Sequence, residues 1–186
     1  MKKRKRSHSG LGVIIVLIAA TILLVRHFHI RDFRIIKPGA LYVSGQPRGM
    51  DYIRLLYKYN IAAIVNIRLL SEHREENWHN EEIVFVRTNG IKYFEMPIDK
   101  ADFLPDTQTQ EWFLAIMANT ENLPVLLHGG NADDKRVAML VAVWLLKSQR
   151  YAFEQAIKEV KKIIDDRELT KEEIEFIGAL AKEARP

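Results

Sequence analysis

The sequence predicts an α/β fold, in which a central, mainly parallel sheet of four to five strands is flanked by helices and preceded by one N-terminal transmembrane helix. Strand and helix patterns alternate along the chain without an internal repeat, and such alternation is typical of a parallel sheet with helices on both faces. The run from Val137 to Leu146 is apolar on every side, as expected of a helix buried against the sheet. The apolar strand at 124–128 comes shortly before it, and we expect this strand to lie in the middle of the sheet.

The N-terminus combines a basic tail with an apolar run. The tail, residues 1–9, carries five consecutive cations from Lys2 to Arg6. The uncharged run from Leu11 to Val25 follows directly, and its neighbours extend it far enough to predict a membrane anchor over residues 10–28. The protein is therefore expected to contact a membrane through this segment.

Two other interpretations of the apolar run are weaker. A cleaved secretory signal is disfavoured because Leu23 to Arg26 lacks the small residues of a cleavage site. A buried core helix does not fit a run that lies at the extreme N-terminus behind five cations. The basic tail favours a domain on the exported, extracytoplasmic side, although cations between Arg26 and Lys37 compete with it.

The remaining residues, 31–186, are expected to form one globular domain, because about 150 residues suffice for a self-sufficient core. The cations of the tail account for the net charge of +4, so the domain itself is near neutral and no nucleic-acid-binding face is predicted. Thr170 and Glu173 form a capping box at the start of the last helix. Strands are predicted at 33–36, 41–44, 61–67, 91–96 and 124–128, and helices at 49–59, 73–88, 107–119, 135–149, 152–165 and 171–184.

The segment from Pro124 to Val137 has the pattern of a strand, a tight glycine loop and a helix start. This is the layout of a phosphate-binding cradle, in which backbone N–H groups at a helix N-terminus hold an anion. The loop follows the carboxyl end of its strand, which is where ligands bind in open α/β sheets.

Three other segments support a family resemblance: Phe33 to Pro47, Ile61 to Arg68 and Tyr93 to Asp99. Together with the loop they resemble the tyrosine and dual-specificity phosphatase superfamily, in particular its small bacterial members, over residues 33 to about 165. The resemblance implies that they are the opening strand pair with its Ser-Gly-Gln-Pro turn, a core strand, and the strand that leads to the general acid.

The family's catalytic signature is degenerate in this chain. In the family the motif is His-Cys, five residues and Arg, and the thiolate attacks phosphorus while the guanidinium holds the oxygens. Here Gly129 stands at the cysteine position and Lys135 at the arginine position, and the chain contains no cysteine at all. Lys135 keeps the charge but lacks the planar fork, which Arg136 would supply if the loop were remodelled.

The resemblance implies an anion-binding loop and a set of candidate carboxylates. His128 is expected to be structural, since without a thiolate it has no group to tune. Asp133 and Asp134 would repel a dianion unless a cation offset them, and either could act as nucleophile or base in a different mechanism. Asp99 matches the degenerate general-acid position, with Asp102 as the neighbouring alternative and an ordinary loop carboxylate as the other interpretation. The predicted loop residues are His128, Gly129, Gly130, Asn131, Ala132, Lys135 and Arg136.

No metal or other cofactor is predicted. His73, His79 and Glu82 on the expected second helix have types that bind metal ions, but this spacing is more typical of a solvated helix face.

Three functional hypotheses follow. The leading one is a membrane-anchored pseudophosphatase, a module that binds a phosphorylated or other anionic ligand, or a protein partner, without the cysteine mechanism. The first alternative is an active phosphohydrolase that uses Asp133 or Asp134, with or without a divalent metal. The second is a structural envelope protein without a ligand. Whether the protein is an enzyme stays open at this point.

Overall fold

The computed structural model describes residues 12–18, 20–21, 30, 32–73, 78–131, 134–165 and 167–184. Five strands form one sheet: β1 (Arg34–Lys37), β2 (Leu41–Ser44), β3 (Ala63–Asn66), β4 (Lys92–Glu95) and β5 (Val125–His128). Among the described residues after β2, six α-helices accompany the sheet: α1 (Met50–Tyr57), α2 (Trp78–Asn89), α3 (Thr107–Ala118), α4 (Lys135–Lys147), α5 (Phe153–Ile163) and α6 (Lys171–Glu183). Short 3₁₀ helices lie at Leu70–His73 and Thr120–Asn122.

The strand order is β1-β2-β5-β3-β4, so the apolar strand β5 lies in the middle of the sheet, as predicted. All pairings are parallel except that of β1 with β2. Every residue of β5 is buried, which is why its sequence is apolar without alternation. The predicted α/β architecture with a mainly parallel five-stranded sheet is confirmed.

Each face of the sheet packs against its own group of helices. On one face α4 lies against the sheet with all residues from Arg136 to Leu146 buried, and α3, α5 and α6 cover it. On the other face Tyr52 and Leu55 of α1 and Val86 of α2 pack against Ile64 and Leu126 of the sheet. Helix α4 is therefore apolar on all its faces because all its faces are buried.

The element boundaries agree with the prediction to within two residues, except at the start of α2. Strand β3 is shorter than the predicted 61–67, although just beyond its end Ile67 still donates its N–H to the His128 carbonyl at 3.2 Å. Helix α2 begins at Trp78 rather than at residue 73, since Leu70–His73 forms a separate 3₁₀ turn. The Glu72 side chain stabilises that turn by accepting the Leu69 N–H at 3.1 Å.

The N-terminal segment is described only in part. Residues 12–18 and 20–21 are helical, and the apolar side chains from Val13 to Ile18 are exposed. No helix among the described residues is long and apolar enough to cross a membrane. The predicted anchor over residues 10–28 falls partly outside the described residues.

Candidate functional site

The predicted loop follows the carboxyl end of β5, where three central strands end together. Ser44 and Asn66 are the partners of His128 in the adjoining strands, so the three residues form one row at this edge of the sheet. The loop is fastened to the row by its backbone, because Gln46 donates its N–H to the Gly130 carbonyl at 3.3 Å. The helix that follows begins at Lys135, with Asp134 as its N-cap.

Arg136 is the central cation of the site, although its position is one residue beyond the family's arginine. Its side chain is only 1% exposed, and it binds two carboxylates at once. Nε and Nη2 donate to the two oxygens of Asp134 at 2.8 and 2.7 Å, and Nη1 and Nη2 donate to the two oxygens of Glu72 at 2.7 and 3.1 Å. Nη1 also donates to the Ile98 carbonyl at 2.8 Å. A buried guanidinium is thereby paired through its whole planar fork.

Asp134 occupies the interior of the loop. Its Oδ1 accepts the Arg136 backbone N–H at 3.1 Å, and its Oδ2 accepts the Gly130 N–H at 3.3 Å. A Cβ atom built on Gly129 would overlap Asp134 Oδ2 and would lie 2.7 Å from its Cγ. The carboxylate therefore fills the space into which a side chain at position 129 would extend.

Glu72 supports Arg136 from the 3₁₀ turn after β3. Burial alone would raise the pKa of Glu72, but the hydrogen bonds from Arg136 and from the Leu69 N–H outweigh it and lower the pKa to about 2. Two further cations lie near this carboxylate, with Lys100 Nζ at 3.1 Å and Arg68 Nε at 3.6 Å from Oε2. Sequence reasoning missed Glu72 and Arg68, although both follow the carboxyl end of a core strand, where site residues are expected.

Lys135 lies at the mouth of the loop rather than inside it. Its Nζ is 3.8 Å from Glu173 and 5.0 Å from the centroid of the Phe103 ring, and its side chain is 42% exposed. The mouth is a cavity of about 310 Å³, at the lower end of the usual range for small-molecule pockets. It is lined by Lys100, Phe103, Gly130, Asn131, Asp134, Lys135 and Arg136.

The other predicted site residues lie elsewhere or outside the described residues. Asp99 is exposed and accepts the Ala101 N–H at 2.8 Å, a local turn contact. Together with Asp102 it lines a separate cavity of about 180 Å³, so neither carboxylate is part of the lining of the loop cavity. Ala132 and Asp133 lie outside the described residues.

His128 is fully buried and belongs to a polar network beneath the loop. Its Nε2 lies 3.1 Å from Oε1 of Glu82, which is also fully buried. Tyr93 donates its hydroxyl to Glu82 Oε2 at 2.8 Å, and Asn66 donates to the Tyr93 hydroxyl oxygen at 2.8 Å. Burial would raise the pKa of Glu82, but the adjacent His128, Tyr93 and Gln46 outweigh it, and the pKa is lowered. The network ties α2 to β3, β4 and β5.

The expectation of a solvated helix face is therefore wrong for Glu82, because this residue faces the sheet. His73 and His79 contact each other with ring centroids 4.2 Å apart, and His79 Nε2 lies 3.2 Å from Glu95 Oε1. Within the part of the chain that the structure describes, no group of three His, Asp or Glu side chains is placed to hold a metal ion.

Comparison with known proteins identifies the fold. No family model matches the sequence, and no curated protein matches it either. One similar solved structure is the catalytic core of the PP-IP phosphatase Siw14 from S. cerevisiae, in complex with citrate. It superposes on this chain with a TM-score of 0.63 at 17% sequence identity, and the match covers 80% of this chain and 85% of that chain.

Two bacterial proteins show the same likeness. A putative phosphatase from Shewanella putrefaciens has a TM-score of 0.58 at 18% identity and covers 83% of this chain and 94% of its own. TpbA from P. aeruginosa, in complex with phosphotyrosine, has a TM-score of 0.58 at 15% identity and covers 82% and 90%. Structural similarity at such low sequence identity establishes only the fold. The chain has the fold of the tyrosine and dual-specificity phosphatases.

Proposed function

We propose that this protein is a membrane-anchored pseudophosphatase, which uses the phosphatase fold to bind an anionic ligand or a protein partner and lacks the thiol chemistry. The observation that carries the proposal is the exchange at the nucleophile position. Gly129 has no side chain, and the carboxylate of Asp134 fills the space in its place. The chain has no cysteine elsewhere to replace the nucleophile.

Loss of the covalent route has a large kinetic consequence. A phosphatase of this fold relies on attack by a thiolate and on a guanidinium that holds the equatorial oxygens. Each 1.36 kcal/mol of lost transition-state stabilisation lowers the rate about tenfold. Because Arg136 is already bound to two carboxylates of its own chain, little of its charge is available to an incoming phosphoryl group.

The mouth of the loop supports an anionic ligand. Lys100 and Lys135 line the cavity, next to the backbone of Gly130 and Asn131. Two proteins of the same fold were solved with the anions citrate and phosphotyrosine. These likenesses motivate anion binding as the first ligand class to test.

One observation favours the alternative of an active phosphohydrolase. Asp134 stands where the fold usually places a nucleophile, and carboxylates serve as nucleophiles in other phosphoryl-transfer enzymes. Against this, both carboxylate oxygens of Asp134 accept hydrogen bonds from Arg136, which stabilise the charge and reduce its nucleophilicity.

An assay of the purified full chain on p-nitrophenyl phosphate, with and without Mg²⁺, distinguishes the pseudophosphatase from the active phosphohydrolase. We expect no turnover above the buffer rate, in the wild type or in Asp134→Asn. The matched control is Asp106→Asn, which changes an N-cap aspartate of α3 far from the loop. Wild-type turnover that persists in Asp106→Asn and disappears in Asp134→Asn contradicts the pseudophosphatase and establishes the aspartate mechanism.

The membrane part of the proposal rests on the sequence. The run from Leu11 to Val25 is uncharged, and together with its neighbours it approaches the length of a bilayer span. The five cations before it favour a cytoplasmic tail, and so an exported domain. Protease added to intact cells tests the orientation: we expect digestion of the domain, and protection would reverse the assignment.

A further inference from the structure

Asp134 is bound by the loop in the manner of an external oxyanion. Four N–H groups converge on its two oxygens: the backbone N–H groups of Gly130 and Arg136, and Nε and Nη2 of Arg136. Backbone N–H groups at a helix start combined with a forked guanidinium are the donor set that proteins use for phosphate. In this chain the ligand of that donor set is a side chain.

The charges around Arg136 show what an incoming anion would meet. With Asp134 in place, a dianion in the loop would lie beside two carboxylates, Asp134 and Glu72, which share a single buried guanidinium. With Asp134 removed, Arg136 and the two backbone N–H groups lose the acceptor that satisfies them. The cations Lys100 and Lys135 already line the adjoining cavity. Occupation by Asp134 and occupation by an external oxyanion are therefore mutually exclusive.

Space for such an exchange exists. Asp134 is itself part of the lining of the cavity of about 310 Å³, so its side chain borders open volume on the outer side of the loop. It is the first residue before α4 and lies in extended backbone, outside the regular helix. An outward movement of its carboxylate would break the N-cap hydrogen bond from the Arg136 N–H, but none of the backbone hydrogen bonds within the helix.

We propose that Asp134 is an autoinhibitory occupant of the loop, which excludes phosphate-class oxyanions until its carboxylate is displaced. The proposal rests on the proposed anion-binding function and adds its regulation. A phosphorylated ligand binds with high affinity only when other contacts, made outside the loop, move Asp134 out of the donor set. The loop is then selective for ligands that supply both an oxyanion and those outer contacts.

Binding of inorganic phosphate to the purified full chain tests the proposal, measured by calorimetry and by thermal unfolding. The key variant is Asp134→Ser, because serine is also a favoured N-cap and so the helix start is kept while the carboxylate is removed. We expect phosphate to bind Asp134→Ser at least tenfold more tightly than the wild type. We also expect Asp134→Ser to unfold at a lower temperature than the wild type. Phosphate should raise the unfolding temperature of the variant again by mass action.

The matched control is Asp106→Ser, which exchanges the N-cap of α3 in the same way outside the loop. Its phosphate affinity should equal that of the wild type. Should Asp134→Ser fail to fold, Asp134→Gly also removes the side chain from the loop and keeps a tolerated N-cap residue, and it should still bind phosphate more tightly than the wild type.

The outcomes separate this inference from the proposed function. Equal, measurable phosphate affinity in wild type and Asp134→Ser overturns the autoinhibition and leaves anion binding intact. A folded Asp134→Ser or Asp134→Gly without any phosphate binding overturns both the autoinhibition and the proposed anion binding. Hydrolysis of p-nitrophenyl phosphate by the wild type would contradict the pseudophosphatase, while the comparison of phosphate affinities would still decide the autoinhibition.

Discussion

Gly129 and Asp134 compete for one volume inside the loop. The backbone of Gly129 does not lie in the left-handed region, so a larger residue is barred here by contact with Asp134 and not by conformation. Reintroducing a cysteine at this position would therefore require a change at Asp134 as well. The absence of a side chain at position 129 and the inward position of the Asp134 carboxylate therefore belong to the same packing arrangement.

A double-mutant cycle measures this competition. Gly129→Ala should destabilise the protein by about 1–3 kcal/mol, the usual cost of overpacking. In an Asp134→Gly background, where the overlapping atoms are gone, the same change should cost under about 1 kcal/mol. Urea unfolding supplies the free energies. Gly178→Ala is the control, because its added Cβ would meet Phe153 at an ordinary 3.9 Å and should be tolerated in either background. Equal costs of Gly129→Ala in the two backgrounds would refute the competition.

Glu72 gives the site a defined acid sensitivity. Its pKa is about 2 in the folded protein against an ordinary value of 4.5, so its contribution to stability is complete above pH 4.5 and is lost as the pH falls towards 2. The difference in unfolding free energy between wild type and Glu72→Gln should therefore shrink across this interval. Glu175→Gln, at a carboxylate that is 67% exposed, should show only a small difference. A constant gap for Glu72→Gln would contradict the assigned ion pair.

Individual residues of the site were only partly predictable from the sequence. The loop and its missing thiol follow from the spacing after His128. The inward carboxylate of Asp134, and its bond to Arg136, depend on side-chain packing inside the loop, which no periodicity encodes. Glu82 illustrates the same limit, since a charged residue on a predicted helix is usually solvated, and only the tertiary structure supplies its buried partner His128.

At the level of the elements, the sequence was more informative. The strands and helices predicted within residues 31–186 all occur, because long apolar runs and a capping box are local signals that tertiary packing reinforces. Thr170 and Glu173 exchange their capping hydrogen bonds as expected, at 2.7 and 3.3 Å. The start of α2 was misjudged because the turn at Leu70–His73 is stabilised through Glu72, whose main partner, Arg136, is distant in sequence.

Helix α4 is the element on which the loop depends, since it begins directly after Asp134 and is buried along its length. Leu140→Ala should cost about 2–5 kcal/mol, because a fully buried leucine leaves a cavity that the sheet and the surrounding helices do not fill. Ile174→Ala in α6, where the side chain is 43% exposed, should cost under about 1 kcal/mol. Urea unfolding of the two variants checks this. Comparable costs would mean that α4 is not the packing centre of this face.

The whole molecule has the phosphatase fold with a glycine at the position after His128. Strand order β1-β2-β5-β3-β4 brings the carboxyl ends of β2, β5 and β3 together, and the loop position follows from that order rather than from the residues in the loop. Position 129 lies beyond the last paired residue of β5, so the strand pairing does not depend on which side chain stands there. This explains why fold could be predicted from sequence with more detail than activity.

The apolar N-terminal run should determine where the whole molecule resides. The full chain should stay in the membrane pellet after a high-salt wash, because salt screens the basic tail but does not weaken apolar burial. Replacing Leu17 and Ile18 by arginine should shift the protein towards the supernatant, since each arginine at the centre of a span costs about 2.5–3.5 kcal/mol. Changing Lys2, Lys3, Arg4, Lys5 and Arg6 to alanine is the matched control and should leave the protein in the pellet. Release of the wild type by salt alone, or a mature N-terminus near residue 27, would show that the run does not hold the protein in the membrane.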